Sequence, residues 1–200
     1  PALTIPDDIV VSATGLMNTV DFDAVMQASA IDNKDGELTP TSTLQGPLAS
    51  GDYINTWSVT DAAGNTESQD QSVKVLPLVN LTPSSVTTEG SQVEVSFVMS
   101  GNAPDYPVTI PFTVSGTASA PSDFTAIGAS LEIAEGTSGS VMVEIAADSE
   151  PESPETIVIT LGEPTNAARG SVADRTLNIV EENLAPQLTF AVTQNQQGGR

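Results

Sequence analysis

The sequence predicts an all-β chain built as two tandem antiparallel β-sandwiches, and three observations carry that prediction. Val and Thr are abundant, which favours strands, and no long stretch repeats its apolar residues at helical spacing. Apolar and polar residues instead alternate at period two, as half-buried strands require. The 15 glycines and 14 prolines divide the chain into short segments separated by turns. At 200 residues the chain suffices for one large or two ordinary domains. A hydrophobic content of 38% supports a core, which must consist mainly of Val, Ile and Leu because only 4% of residues are aromatic.

In the first part of the chain, strand-like segments run over 9–13, 20–24, 54–60 and 72–76. Turn-forming runs separate them: Asp32-Asn33-Lys34-Asp35-Gly36 and Asp61-Ala62-Ala63-Gly64-Asn65. The first run lacks the alternating acids of a full calcium loop and reads as an Asx-type turn. Asp61 and Asn65 have oxygens to offer a metal, but they serve a turn equally well. Trp57 falls within a strand pattern and is assigned to the core, an exposed sugar-stacking role being the alternative. A boundary falls at Leu76-Pro77-Leu78.

Beyond it the alternation is clearer. Val93, Val95, Phe97 and Met99 share one face, as do Val108, Ile110, Phe112 and Val114. The same holds for Val141, Val143 and Ile145, then for Ile157, Ile159 and Leu161. Several short strands at such spacing indicate a β-sandwich. Asn80-Leu81-Thr82 matches a glycosylation acceptor, which at a domain junction is taken as coincidental. Leu188, Phe190 and Val192 alternate again after Leu184-Ala185-Pro186. The expected domains are therefore 1–77 and 78–183, with 184–200 the start of a further module or a tail. The chain reads as a piece of a longer protein.

Charge excludes several functions. The chain has 26 acidic and 5 basic residues, a formal net charge of −21. Nucleic-acid binding needs clustered Lys and Arg, and no cluster exists. An anionic membrane surface would repel the chain, and no membrane span or signal peptide is legible. His and Cys are both absent. That removes serine–histidine and cysteine–histidine catalysis and leaves a zinc centre without its usual ligands. A disulfide framework is excluded as well. We expect no enzyme activity.

The acids are unevenly distributed. The stretch ADSEPESPET at 147–156 packs Asp148, Glu150, Glu152 and Glu155 between prolines and has no basic residue. The prolines prevent a helix and restrict the free loop. In an extended segment Asp148, Glu150 and Glu152 face the same side. Seven strands are placed at roughly 79–86, 92–100, 107–115, 129–134, 139–146, 155–161 and 171–180. If each runs opposite to the one before, the first, third and fifth connections share one end with the chain exit. That end collects Glu89, Asp123, Asp148, Glu150, Glu152, Glu181 and Glu182, with Glu155 opening the next strand. The other end has only Asp105, Glu135 and Glu163.

Two like charges about 4 Å apart repel by about 4 kcal/mol at an effective dielectric near 20. A domain is stable by only about 5–15 kcal/mol. The acidic connections contain no Lys or Arg, so a divalent cation is the expected counter-ion. Oxygen ligands without His or Cys select calcium or magnesium. Calcium, with about 6–8 oxygens in flexible geometry, suits ligands drawn from several loops. Solvated loop acids and general adaptation to high salt are the alternatives. High-salt adaptation predicts acids spread evenly.

Two resemblances accompany this reading. Ile5-Pro6-Asp7-Asp8-Ile9-Val10-Val11, residues 28–36 and the run from Asn55 to Asn65 resemble a HYR-type, immunoglobulin-like module of extracellular proteins. Thr88-Glu89-Gly90, Gly116-Thr117-Ala118, Ser122-Asp123-Phe124, residues 148–156 and Pro164-Thr165-Asn166-Ala167-Ala168 resemble a Calx-beta domain. That second resemblance implies calcium ligands at Glu89, Asp123, Asp148, Glu152 and Glu155. It also aligns Glu181-Glu182-Asn183 with a family aspartate run, and Ala147 stands where many members have Asp. Together the two imply a non-catalytic, monomeric calcium-binding spacer of a large surface or adhesin-type protein, extracellular and bacterial. Its partners would be neighbouring modules of the same chain. The alternatives are loop-mediated recognition of a glycan or protein partner, and an accessory region of a secreted hydrolase.

Overall fold

The computed structural model describes residues 1–17, 27–147 and 153–180, and these form strands and turns with no helix. The expected segments 20–24 and 184–192 lie outside the described residues.

The first part contains β1 (Ala2–Thr4), β2 (Ile9–Ser12), β3 (Ser29–Asp32), β4 (Gly36–Leu38), β5 (Thr41–Ser42), β6 (Gly51–Thr60) and β7 (Thr66–Leu76). They make one sheet in the order β1-β3-β4 and another in the order β2-β7-β6-β5. The β6–β7 hairpin is its backbone, paired antiparallel from Gly51↔Val75 to Thr60↔Thr66. Strict alternation along β7 turns Gln71, Val73 and Val75 inward, where they meet Leu3, Ala30, Leu48, Trp57 and Val59. Strands β1, β3, β4 and β5, of two to four residues, are too short to show a period in the sequence.

Two amides sit inside this core. Asn55 and Gln71 are fully buried cross-strand partners. The Trp57 indole Nε1–H donates to Gln71 Oε1 at 2.9 Å, and Asn55 Nδ2 donates to the same oxygen at 3.3 Å. Gln71 Nε2 donates to the Asp7 carbonyl, while Ser42 Oγ and Leu44 N donate to Asn55 Oδ1. Buried polar groups are tolerated when hydrogen-bonded in this way. Trp57 is thus a core residue, as expected.

The second part contains β8 (Leu78–Leu81), β9 (Ser85–Thr88), β10 (Gln92–Met99), β11 (Val108–Gly116), β12 (Ser130–Ile133), β13 (Ser138–Glu144), β14 (Glu155–Leu161), β15 (Ala168–Arg169) and β16 (Asp174–Val180). Its sheets have the orders β13-β10-β8-β15 and β12-β11-β14-β16-β9. The expected strand at 79–86 is divided. Thr82-Pro83-Ser84 carries the chain from one sheet to the other, because Pro83 cannot donate to a ladder. The expected apolar faces meet between the sheets as one cluster, in which the Phe97 and Phe112 rings lie 5.4 Å apart. Asn80, of the apparent glycosylation acceptor, accepts a hydrogen bond from Val172 N through its side-chain oxygen.

Pairing fixes direction. β10 is antiparallel to β8 and β13, β11 to β12 and β14, and β14 to β16, whereas β16 is parallel to β9 and β15 to β8. Counting the divided β8–β9 and β15–β16 as single passes, every pass opposes the one before. The β9–β10, β11–β12 and β13–β14 connections therefore emerge at one pole, together with the end of β16.

Arg175 is an exception to the apolar interior. It lies on the inward face of β16 beside Leu177 and Ile179 and is only 6% exposed. Its guanidinium donates to Thr82 Oγ1, to the Glu94 carbonyl at 3.0 Å and to Ser85 Oγ at 3.4 Å. It thereby fills the gap where the first strand changes sheets. Burial lowers its pKa, and Nε is buried without a hydrogen-bond partner. Arg175→Ala is expected to destabilise by about 2–5 kcal/mol in denaturant unfolding, through lost packing and unpaired acceptors. Arg175→Met, which retains the apolar stem and removes a desolvated charge, is expected to cost clearly less. Equal losses for the two variants would show that packing by the stem contributes nothing.

Candidate metal centre

Local hydrogen bonds draw three connections together at the pole reached by β9, β11, β13 and β16. Gly116 ends β11 at φ +128°, and a Cβ there would stand 2.1 Å from the Thr156 carbonyl oxygen. Only glycine permits that approach. Thr117 N and Ala118 N then both donate to this oxygen, at 3.0 and 3.1 Å, and Thr156 N donates to Thr117 Oγ1 at 2.9 Å. The start of the β11–β12 loop is so held beside Glu155, the first residue of β14. Further along, Ala146 N donates to the Asp123 carbonyl and Thr125 N to the Glu144 carbonyl, each at 2.9 Å. The third connection closes the circuit: Gly90 N donates to the Ala146 carbonyl and Ile145 N to that of Ser91. Glu89 thus precedes a residue bonded to the end of the β13 segment. Val180, the last described residue of β16, pairs with Thr88, and Glu155 pairs with Ile179.

Asp123 is the best-defined acid of this pole. It is partly buried, and its Oδ2 accepts from Ser119 N at 2.7 Å and from Ser119 Oγ at 3.2 Å. The Ser119 amide is the main cause that holds its carboxyl below the ordinary 3.8; the Ser122 and Ser119 hydroxyls and a hydrogen bond with the Glu155 carboxyl add to it, against partial desolvation. Asp123 and Glu155, 32 positions apart in sequence, are thereby brought to the same pole. Ser119 and Ser122, which orient Asp123, were not among the expected functional residues. Their signal is the Ser-x-x-Ser-Asp spacing around Pro121, a turn in which hydroxyls reach a nearby carboxylate.

Of the eight expected ligands, the structure describes Glu89, Asp123 and Glu155, all at this pole. Asp148, Glu150, Glu152, Glu181 and Glu182 lie outside the described residues. The described residues do not contain a complete cation site: no three acids among them are grouped closely enough to hold a metal. Asp123, Glu155 and Glu89 stand on connections that share this pole. The donor chemistry still fits a hard divalent cation, since all three offer carboxylate oxygens and the converging connections contain no Lys or Arg.

The opposite pole differs. Asp105 binds Lys74 Nζ at 2.6 Å, and Glu163 stands 3.5 Å from Arg169 Nε. In the first sandwich, the two acidic turns are satisfied by donors from the chain itself. Asp32 Oδ1 accepts from Lys34 N and Asp35 N, and Asp35 Oδ2 from Ala62 N. Asp61 is held low chiefly by Asn65, whose side-chain and backbone N–H groups donate at 2.7 and 2.8 Å. These contacts make the two runs turn-formers.

An all-β sandwich whose loop acids meet at one pole defines a non-helical module of immunoglobulin-like architecture. A profile of the Calx-beta domain matches residues 71–183, more than half of the chain, and the chain belongs to that family. Among solved structures, it is similar to the apo-form Calx CBD1 domain, with 20% identity over 54% of this chain and 99% of that one, at a TM-score of 0.47. It is also similar to CBD12 from CALX1.2, with 23% identity over 52% of this chain and 45% of that one, at a TM-score of 0.48. A weaker likeness, 16% identity at a TM-score of 0.28, is to Escherichia coli alpha-2-macroglobulin activated by porcine elastase; it covers 77% of this chain but 14% of the macroglobulin. No curated protein matches the sequence.

A carboxyl held below its ordinary value stabilises the fold above the unfolded pKa, and that contribution is lost as pH falls through the folded one. Asp123 should therefore add to acid lability below about pH 4. In chelator, Asp123→Asn is expected to flatten the fall of unfolding free energy as pH drops below about 4. An unchanged slope in urea titrations would mean that the Ser119 contacts do not favour the ionised form.

Proposed function

We propose that this chain is a pair of non-catalytic β-sandwich modules, of which the second binds calcium at its acidic pole. The observation that carries the reading is the hydrogen-bonded circuit that gathers the connections bearing Glu89, Asp123 and Glu155, none of which has a basic residue, at one pole. Acids gathered there without a basic counter-charge invite a cation. Asp123 and Glu155 would hold it, joined by Glu89 and by ligands among Asp148, Glu150, Glu152, Glu181 and Glu182. The ion would supply positive charge, and with it cohesion between three connections. Membership of the Calx-beta family supports the same choice, since calcium binding is what such domains contribute in exchangers.

The wider setting is part of the proposal. The first module is read as HYR-like, on the residues from Asn55 to Asn65 and the strands that carry them. The pair is read as an extracellular spacer of a large bacterial surface or adhesin-type protein, monomeric and flanked by further modules. β16 ends at the acidic pole and Glu181 and Glu182 come next in sequence, so an ion bound there by them would stiffen the exit towards the next module. A protein or glycan partner would be bound elsewhere in the parent molecule.

Calorimetric melting in calcium and then in excess chelator tests the reading. An ion bound only by the folded state stabilises by about 2.7 kcal/mol at one hundred times its dissociation constant. The midpoint is expected to rise in calcium and to return in chelator. Asp123→Ala and Glu155→Ala should each shrink the response, whereas Glu163→Ala at the opposite pole should leave it intact. A midpoint indifferent to calcium would remove the ion from the proposal.

A further inference from the structure

We propose that the joint between the two sandwiches is locked by the chain's own side chains and backbone, without a metal ion, so that the pair acts as a single rod. The joint lies at the pole opposite Asp123 and Glu155. Strand β7 ends at Leu76 and β8 begins at Leu78, leaving only Pro77, which is buried, as connection. One proline cannot serve as a swivel, because its φ is fixed by the ring.

The residues that follow belong to both bodies. Leu78 is half-buried against the first core, whereas Val79 is fully buried in the second. The backbone of Leu78 is held by the second sandwich at the same time. Its carbonyl accepts from Ser100 N at 2.9 Å, its N–H donates to Ser100 Oγ at 3.0 Å, and the Pro77 carbonyl accepts from Ala168 N at 2.8 Å. Any swing of one sandwich against the other would expose Leu78 or break these bonds.

Two contacts bridge the bodies away from the chain connection. Ser50, between Leu48 and β6, buries its hydroxyl against Gly101, so closely that a Cβ on Gly101 would stand 2.4 Å from Ser50 Oγ. On the outer face of β7, Lys74 Nζ donates to Asp105 Oδ2 at 2.6 Å, and both side chains are partly shielded, at 29% and 47% exposure. Ion pairs of this accessibility contribute little alone. Their place is to fix rotation about an axis that Pro77 and Leu78 already define. The first junction thus uses a protein cation, Lys74, in the position that the far pole leaves to an external one.

Because the sequence has no cysteine, labels can be placed without background. Spin labels at Ser68→Cys and Ser140→Cys, both on exposed strand positions of different sandwiches, would report the distance distribution between them. The expected result is one narrow distribution, the same in chelator and in calcium. Lys74→Asp should widen it, and Lys74→Asp with Asp105→Lys should restore it. Gly101→Phe, which cannot coexist with Ser50, should widen it more than Lys74→Asp does. A Gly-Ser insertion of five residues after Pro77 provides the width of a free joint. A wild-type distribution as broad as that insertion, or narrow only in calcium, would overturn the proposal. So would a narrow distribution that none of the side-chain variants widens. The calcium dependence of melting is read separately, so failure of the acidic pole to bind an ion would leave this result standing, and the reverse.

Discussion

The reversal of strand direction at every pass governs the second sandwich. Once β8–β9, β10, β11, β12, β13, β14 and β15–β16 run alternately up and down, the connections sort themselves to two poles, and residues far apart in sequence become neighbours. Asp123 and Glu155 share a pole for that reason. The local chemistry then tightens what topology has brought near. Gly116 lets the β11–β12 loop cross Thr156 at a distance no side chain allows, and Ser119 aims the Asp123 carboxyl by donating to it from both backbone and hydroxyl.

Charge is handled differently at the two poles. At the pole facing the first sandwich, Asp105 and Glu163 have Lys74 and Arg169 within ion-pair distance. At the far pole the connections hold acids and hydroxyls and no basic residue. Only five basic residues serve the whole chain, and Arg175 is spent inside the sandwich on the Glu94 carbonyl and the Thr82 and Ser85 hydroxyls. A chain so acidic has to place its few cations where geometry must be held without help. The first junction and the sheet-crossing of the first strand are those places.

The interiors of the two bodies follow one rule with two kinds of exception. Period-two alternation turns Val, Ile, Leu and Phe inward, and it turns Asn55, Gln71 and Arg175 inward by the same geometry. In the first sandwich the amides satisfy one another and the Trp57 indole. In the second the guanidinium caps acceptors exposed where β8 leaves its sheet. Apolar residues at these positions would bury as well but would specify the strand register less sharply, since a hydrogen bond tolerates less sliding than a methyl contact.

Much of this was legible in the residue order. Alternation at Val93–Met99, Val108–Val114 and Ile157–Leu161 located the core strands, and counting reversals assigned Glu89, Asp123 and Glu155 to one pole. Each depends on a local period or on parity, which needs no three-dimensional detail. Other features were not legible. The two- to four-residue strands β1, β3, β4 and β5 are too short to repeat a period, and their place is set by pairing. The division of the first strand of the second sandwich, the inward turn of Arg175, the sharing of Leu78 between two cores and the contact of Ser50 with Gly101 arise only when distant segments pack. The sequence by itself determined which residues alternate, where charge accumulates and how many reversals occur. Tertiary structure decided which of those side chains touch, because contact depends on register and on the approach of one backbone to another across tens of intervening residues.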